Sequence, residues 1–187
     1  MKLYLIRHGR SIGNENAEAY NIMPDWKINL TEEGKKQAEK VGKDLKYIVN
    51  DPIIISSPYV RAVETANIIK TYIDDDCIMF FNALIREREW GNLRDEVEQF
   101  KTRGERKHLF DFYRRPTGGE SFADVYQRAF VFLEYLKNNF KDENIIILSH
   151  GEFLKVLLMI IDSNTVEEFD DLPNPKNCQI ITRTISE

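Results

Sequence analysis

Cysteine is scarce. Cys77 and Cys178 are the only two in 187 residues, too far apart for a metal-knuckle spacing and too few to staple a disulfide-rich secreted fold. Long apolar runs are missing too. The longest, from Val156 to Ile161, has six residues, where a membrane-spanning helix needs about 20. Positive charge is not in excess: 26 Lys and Arg stand against 31 Asp and Glu, for a net charge of -5. No global basic field therefore recruits nucleic acid or an anionic membrane, and neither is expected as a partner. The first apolar stretch ends at Arg7 after four residues, so no secretory leader is expected. Repeats, low-complexity tracts and Pro- or Gly-rich linkers are also absent. These exclusions leave a single domain over residues 1–187 in a reduced, cytoplasmic setting as the expectation.

What is present is 42% hydrophobic and 30% charged residues, the balance of a globular domain. Four short apolar runs, Leu3–Ile6, Ile53–Ser56, Ile78–Phe81 and Ile145–Ser149, read as strands covered on both faces, and Gln179–Thr182 as a fifth. Helices fall between them. After Thr31, a capping residue followed by Glu32 and Glu33, Ala38, Val41, Leu45 and Ile48 form one apolar stripe. The next helix offers Val60, Val63, Ile68 and Ile69. A longer one opens at Ser121 and presents Phe122, Val125, Ala129, Phe132, Leu133 and Leu136, and "EFLKVLLMII" follows the fourth strand. Alternating strands and helices predict an α/β fold, a three-layer α/β/α sandwich with a mostly parallel central sheet. In such sheets ligands bind beyond the carboxyl ends of the strands. Residues 82–119, polar and weakly helical over 94–109, read as a lid-like excursion across that edge.

Three strand ends carry chemistry. The first runs into Arg7-His8-Gly9, the second into "SSPYVRAVETA" with Arg61 one turn into a helix, and the fourth into "LSHGEF" with His150 and Gly151. A parallel sheet brings all three to one edge. A helix N-terminus at Gly151 offers unpaired N–H groups, and Arg7 and Arg61 offer planar forks that match phosphate oxygens. Ser11 and Asn14 add short polar groups after His8. The set suits a phosphoryl group. Singly, each residue has an ordinary explanation: a buried histidine, a solvated helix arginine, a loop serine. The combination carries the reading.

The stretches "RHGRSIGN", "SSPYVRAVETA", "LIREREWGNL", "RPTGGES" and "LSHGEF", in this order over nearly the whole chain, resemble the histidine phosphatase superfamily with its phosphoglycerate mutase-like fold. "EREWGN", "FYRRPTGGES" and the tail "TVEEFDDLPNPKNC" are most similar to the broad-range acid phosphatases within it. The resemblance implies a metal-independent phosphomonoester hydrolase that needs no cofactor and acts on a small phosphorylated metabolite or a phosphopeptide. It implies His8 as the nucleophile that becomes phosphorylated. Arg7, Arg61 and His150 would bind the phosphoryl oxygens, assisted by Ser11, Asn14 and the Gly151 backbone, and Glu87 would be the proton donor. Arg10 and Ser11 depart from residues common in the family, glutamate and threonine.

The chemistry fits those residue types. Phosphoryl transfer spreads negative charge over equatorial oxygens, so catalysis is mostly positioning and fixed positive charge. An imidazole attacks only when neutral. The two arginines, joined by His150 if it carries a proton, are expected to hold His8 neutral in mild acid. Glu87 can protonate a leaving group only with a raised pKa. Glu89, two residues on, is its rival, and the motif match rather than the spacing selects Glu87. The alternative enzyme is a cofactor-dependent phosphoglycerate mutase. Where mutases carry a lysine for a second anionic group, this chain has Asp95, Glu96, Val97 and Glu98, which favours hydrolysis. Arg114 and Arg115 remain candidates for a second anion. An inactive phospholigand scaffold is the reading from another class, and the retained His8 and Glu87 oppose it. Trp90, Phe110, Phe112 and Tyr113 either favour aryl leaving groups or pack the core.

Overall fold

The computed structural model of the protein describes residues 1–92 and 112–185. The middle of the 82–119 excursion, including Asp95 to Glu98 and Phe110, lies outside the described residues. Five strands form one sheet: β1 (Lys2–Arg7), β2 (Pro52–Ser56), β3 (Met79–Phe81), β4 (Asn144–Ser149) and β5 (Ile180–Thr184), in the order β3-β2-β4-β1-β5. Pairings are parallel except β1 with β5. The fold is the expected three-layer α/β/α sandwich.

Alternation within the strands explains the two helical layers, because successive side chains leave opposite faces. Tyr4 and Ile6 of β1 join Ile146 and Leu148 of β4 on one face. There they meet Val41 and Leu45 of α3 (Glu32–Leu45) and Ala66 and Ile69 of α4 (Val60–Ile73). Leu3, Leu5, Ile145 and Ile147 turn to the other face. They pack on Val125, Ala129 and Phe132 of α5 (Phe122–Asn139) and on Phe153, Leu154 and Leu157 of α6 (Gly151–Ile161). Phe132 and Phe153 are both fully buried, and truncating either to alanine removes about 3–5 kcal/mol.

Two helical stripes differ from the sequence reading. α3 ends at Leu45, so Ile48 falls in a following turn and is 52% exposed. On α4 the fully buried positions are Ala62, Thr65, Ala66 and Ile69, whereas Val60, Val63 and Ile68 are half-buried. Small residues face the core there because the helix sits close to the sheet and to α3, and large apolar residues lie at its flanks. Capping follows the sequence. Thr31 Oγ1 accepts from the Gly34 N–H at 3.1 Å, and Ser121 Oγ accepts from the Asp124 N–H at 3.1 Å.

One topological feature positions the site. β1 and β4 are neighbours in register, with Arg7 opposite Ser149. The chain leaves β1 toward α3 on one face and leaves β4 for α6 on the other. Adjacent strands whose helices depart to opposite faces open a crevice at their carboxyl ends. His8 and His150 are the next residue on each strand.

Candidate active site

A cavity of about 590 Å³ opens at that crevice, with Arg7, His8, Asn14, Arg61, Glu87 and Gly151 among its lining residues. His8 is 2% exposed. Its Nδ1 lies 2.7 Å from the Gly9 carbonyl oxygen, which can only accept, so Nδ1 carries the hydrogen and Nε2 keeps its lone pair. Arg61 Nε–H donates to that Nε2 at 3.1 Å. Gly9 is held in turn by its N–H to Thr65 Oγ1 at 3.0 Å, and Thr65 donates to the Arg61 carbonyl. One turn of α4 therefore fixes both the loop after His8 and the arginine. Burial, then the Arg61 guanidinium, and with a smaller push Arg7 hold the His8 pKa well below the usual 6.5, against the Gly9 hydrogen bond.

His150 stands edge-on to His8, ring centroids 5.2 Å apart, but is fully buried. Its Nε2 lies 2.8 Å from Ser57 Oγ, while Nδ1 has no partner. Burial, followed by Arg61, His8, Arg128 and Arg7, holds the His150 pKa well below the usual value. A neutral His150 is thus no cause of the His8 shift. Arg7 donates to the Pro175 carbonyl through Nη1 at 3.0 Å, and its buried Nε has no partner. A side chain at position 151 would place Cβ 3.3 Å from the Arg7 guanidinium carbon, so glycine there leaves room for the arginine. At the cavity wall Arg7 thus keeps a buried N–H without a partner, whereas His150, with one unpartnered ring nitrogen, lies behind the lining residues.

Other expected residues divide. Asn14 lines the cavity, but Ser11 does not; its hydroxyl and N–H both donate to Asn14 Oδ1 at 3.1 Å. Ser11 thereby orients Asn14 at the start of α1 (Ile12–Glu15). Arg10 is exposed and pairs with Glu15 at 3.2 Å, away from the cavity. Glu87 and Glu89 both line it, Glu87 half-buried and Glu89 exposed. The Glu87 carboxylate accepts from the N–H groups of Arg88 (3.0 Å), Phe153 (3.2 Å) and Glu152 (3.4 Å), which seats it against the N-terminus of α6. The turn after Glu89 is packed. Gly91 adopts φ +49° where any Cβ would strike the Thr117 carbonyl at 2.3 Å.

Four contributors escaped the sequence reading. Asp25 meets Arg61 through its carboxylate at 2.8 Å and its carbonyl at 2.6 Å, neutralising that guanidinium from above. Arg88, 2% exposed, pairs with Glu152 at 2.7 Å. Burial and the neighbouring Glu87 push the Glu152 carboxyl up to about 7, against the pull of Arg88. Arg128 donates to the carbonyls of Leu84 (2.6 Å) and Arg86 (2.8 Å) and to Glu120 (3.0 Å), so "REREW" is anchored, not a free charge run. Its signal was available: Arg128 falls between Val125 and Phe132 on the apolar stripe of α5. Asn177 donates to the His8 carbonyl at 2.9 Å and to Asn14 Oδ1 at 3.2 Å, tying the tail across the loop after His8.

The second-anion and aryl-lid readings lose ground here. Arg115 is committed to Asp124, with Nε 2.8 Å from Oδ2, and neither Arg114 nor Arg115 lines the cavity. Phe112 is buried in the core and Tyr113 is 68% exposed; of these aromatic residues Trp90 lines the cavity. Among the described residues no group of three metal-ligating side chains occurs, and no helix is long and apolar enough to cross a membrane.

The model of the histidine phosphatase superfamily, branch 1, matches residues 3–187. The chain belongs to this superfamily. Among curated proteins it is 31% identical to phosphoglycerate mutase-like protein AT74H of Arabidopsis thaliana, covering 95% of this chain and 72% of that one. It is 29% identical to the 2,3-bisphosphoglycerate-dependent phosphoglycerate mutase of Bartonella bacilliformis, covering 89% and 84%. The α-ribazole phosphatase of Shigella flexneri shares the fold, with a TM-score of 0.77 at 21% identity over 100% of this chain and 92% of that one.

Proposed function

We propose that the protein is a phosphomonoester hydrolase that works through a phosphohistidine at His8 without a metal. The observation that carries the reading is the His8 ring: Nδ1 is locked to Gly9 and the lone pair of Nε2 is turned to Arg61 inside the cavity. Substrate phosphate oxygens take the orphaned donors of Arg7 and His150 and the Asn14 amide, and draw on the Arg61 fork. For His150 this needs the hydrogen on Nδ1, which a Ser57 hydroxyl donating to Nε2 leaves there. These fixed charges and dipoles meet the negative charge of the transition state without reorganising.

The Nε2 lone pair forms the N–P bond as the ester P–O bond breaks, and the leaving oxygen takes its proton from Glu87, whose protonated form the negative charge of the bound phosphate favours against the three N–H groups its carboxylate accepts. Water then enters, Glu87 takes a proton from it, and its oxygen attacks phosphorus. The N–P bond breaks and the pair returns to Nε2, releasing phosphate. A histidine kept neutral by burial and by Arg61 performs this in mild acid, which supports the acid phosphatase assignment.

Similarity to a phosphoglycerate mutase supports a second reading, in which the phosphoryl group returns to a sugar acid. The carboxylates that flank the cradle oppose it. Hydrolysis of a chromogenic aryl phosphate should persist in EDTA, and alkaline quenching should trap phosphorylated protein. Loss of activity on chelation, or isomerisation of 3-phosphoglycerate faster than phosphate release in the presence of bisphosphoglycerate, would overturn the proposal.

A further inference from the structure

A second cavity lies between α6, the edge strand β5 and the tail that joins them. It measures about 320 Å³, within the range of roughly 300–1,000 Å³ that small-molecule pockets occupy. Leu158 of α6, Leu172 and Pro175 of the tail and Ile181 of β5 give it apolar walls. Near the end of α6, Asp162 receives two hydrogen bonds from Arg183, of 2.6 and 2.7 Å, so those two charges cancel. Lys155 stands about 10 Å away, two turns back along the helix.

Lys155 is 9% exposed, yet among the described residues no hydrogen bond or ion pair engages its ammonium. Phe169 covers it, 4.4 Å from the ring centroid, offering a π face but no lone pair. Burial pushes its pKa down from the ordinary 10.5, against the more distant pull of Asp170, Glu152 and Asp171. A buried ammonium with unmet donors at an apolar cavity calls for an anionic partner. The matching ligand carries its charge at one end and hydrocarbon over the rest. Asp170 and Asp171 oppose a second negative charge there, which favours a carboxylate over a phosphate.

The pocket adjoins the first site. Asn174 lines both cavities. Pro175, a wall of the second, accepts from Arg7 Nη1 through its carbonyl at 3.0 Å. A molecule seated in the pocket packs against Leu172 and Pro175 and holds that carbonyl on the arginine. We propose that this pocket is an effector site for a small aliphatic carboxylate, its anion on Lys155 and its chain on Leu158, Leu172 and Ile181, and that occupancy strengthens phosphate binding through Pro175 and Arg7. Two ligands so coupled strengthen one another by the same factor.

The test titrates the full chain calorimetrically with hexanoate, hexylamine and hexanol at pH 7. Hexanoate should bind at least about tenfold tighter than the other two, the scale of one charge-assisted hydrogen bond. Lys155→Met keeps the apolar stem and removes the charge, and should erase that preference, whereas Lys155→Arg should retain it. Leu158→Trp leaves the ammonium but fills the cavity, and should weaken all three probes. Basal hydrolysis should be unchanged in each variant, because none touches the phosphate cradle. In the wild type, saturating hexanoate should lower KM for an aryl phosphate about fivefold with kcat little changed, and orthophosphate should tighten hexanoate by the same factor. Equal affinity for the three probes, a preference kept by Lys155→Met, or displacement of hexanoate by orthophosphate overturns the inference. So does tight hexanoate binding that leaves KM unmoved. The orthophosphate titration stands apart from the chemistry at His8. If no ester is hydrolysed, the phosphomonoesterase reading falls and the linkage between the two ligands still decides this one.

Discussion

The carboxyl ends of β1 and β4 present the same dipeptide, His-Gly, at the same register of adjacent parallel strands. Their surroundings differ. His8 opens on the cavity with one nitrogen tied to Gly9 and the other turned to Arg61. His150 lies fully buried with one nitrogen at Ser57 and the other vacant. Both rings are held neutral by burial. The difference lies in what the nitrogens meet: both of those of His8 are partnered at the cavity, and one of those of His150 is not. Under the proposed mechanism the first ring supplies the nucleophilic lone pair and the second a donor to the phosphate. Identity and register being equal, partners assign the roles.

The harshest way to break that comparison is His8→Ala. It removes the lone pair, and kcat/KM on an aryl phosphate should drop by at least about 10⁴-fold, close to 5.5 kcal/mol of transition-state stabilisation. Trapped phosphoprotein should vanish. If a tenth of the activity survives, the two rings have been assigned the wrong way round. His150→Ala should cost less, about 10²–10³-fold, the scale of one preorganised donor. It should act mainly on kcat and leave the phosphoprotein detectable after alkaline quench. A loss equal to that of His8→Ala, with no phosphoprotein, would erase the distinction.

How much of this was legible beforehand follows the same division. Local signals revealed what strand ends and caps require: all five strands, the Thr31 and Ser121 caps, and the convergence of Arg7, His8, Arg61 and His150 beyond one sheet edge. Partners contributed from distant parts of the chain carried no local signal. Asp25 reaches Arg61 across 36 residues and Asn177 reaches the His8 carbonyl across 169; neither has a spacing that a period could show. The sequence left the charge of His150 open because neighbouring charges can be read from motifs, whereas desolvation, the larger influence on a fully buried ring, depends on the packed fold. On α4, reading large apolar residues as the buried face missed that close packing selects Ala62 and Ala66.

Acid stability sharpens the comparison by a smaller amount. In the unfolded chain each histidine takes a proton near pH 6.5, whereas in the fold both resist it. The unfolded state therefore binds more protons below 6.5, so stability is fully present above that pH and is lost as pH falls. Each ring contributes up to about 1.36 kcal/mol per pH unit. Replacing His150 by Asn removes one such site. Glu152, whose carboxyl sits at about 7, titrates in the opposite sense but in both proteins, so the difference between them isolates the ring. Between pH 7 and 5.5, urea unfolding should show wild type losing about 1–2 kcal/mol more than the variant. Parallel losses would mean that His150 is already charged in the fold.

The mildest test touches only the β1 side. Asn177 Nδ2 donates to the His8 carbonyl and to Asn14 Oδ1, and β4 has no counterpart to this clasp among the described residues. Asn177→Ala deletes two hydrogen bonds at a partly exposed position, which typically costs about 1–2 kcal/mol of stability and should lower Tm by a few degrees. If the clasp also orients the nucleophile, kcat should fall about three- to tenfold with KM little changed, because Asn14 retains its Ser11 bonds. Asn177→Asp keeps the shape but cannot donate, and its charge would face two acceptor oxygens. It should rescue neither quantity. An aspartate that restores kcat, or an alanine that lowers Tm without touching kcat, would show that the tail braces the fold and leaves the orientation of His8 to Gly9 and Thr65.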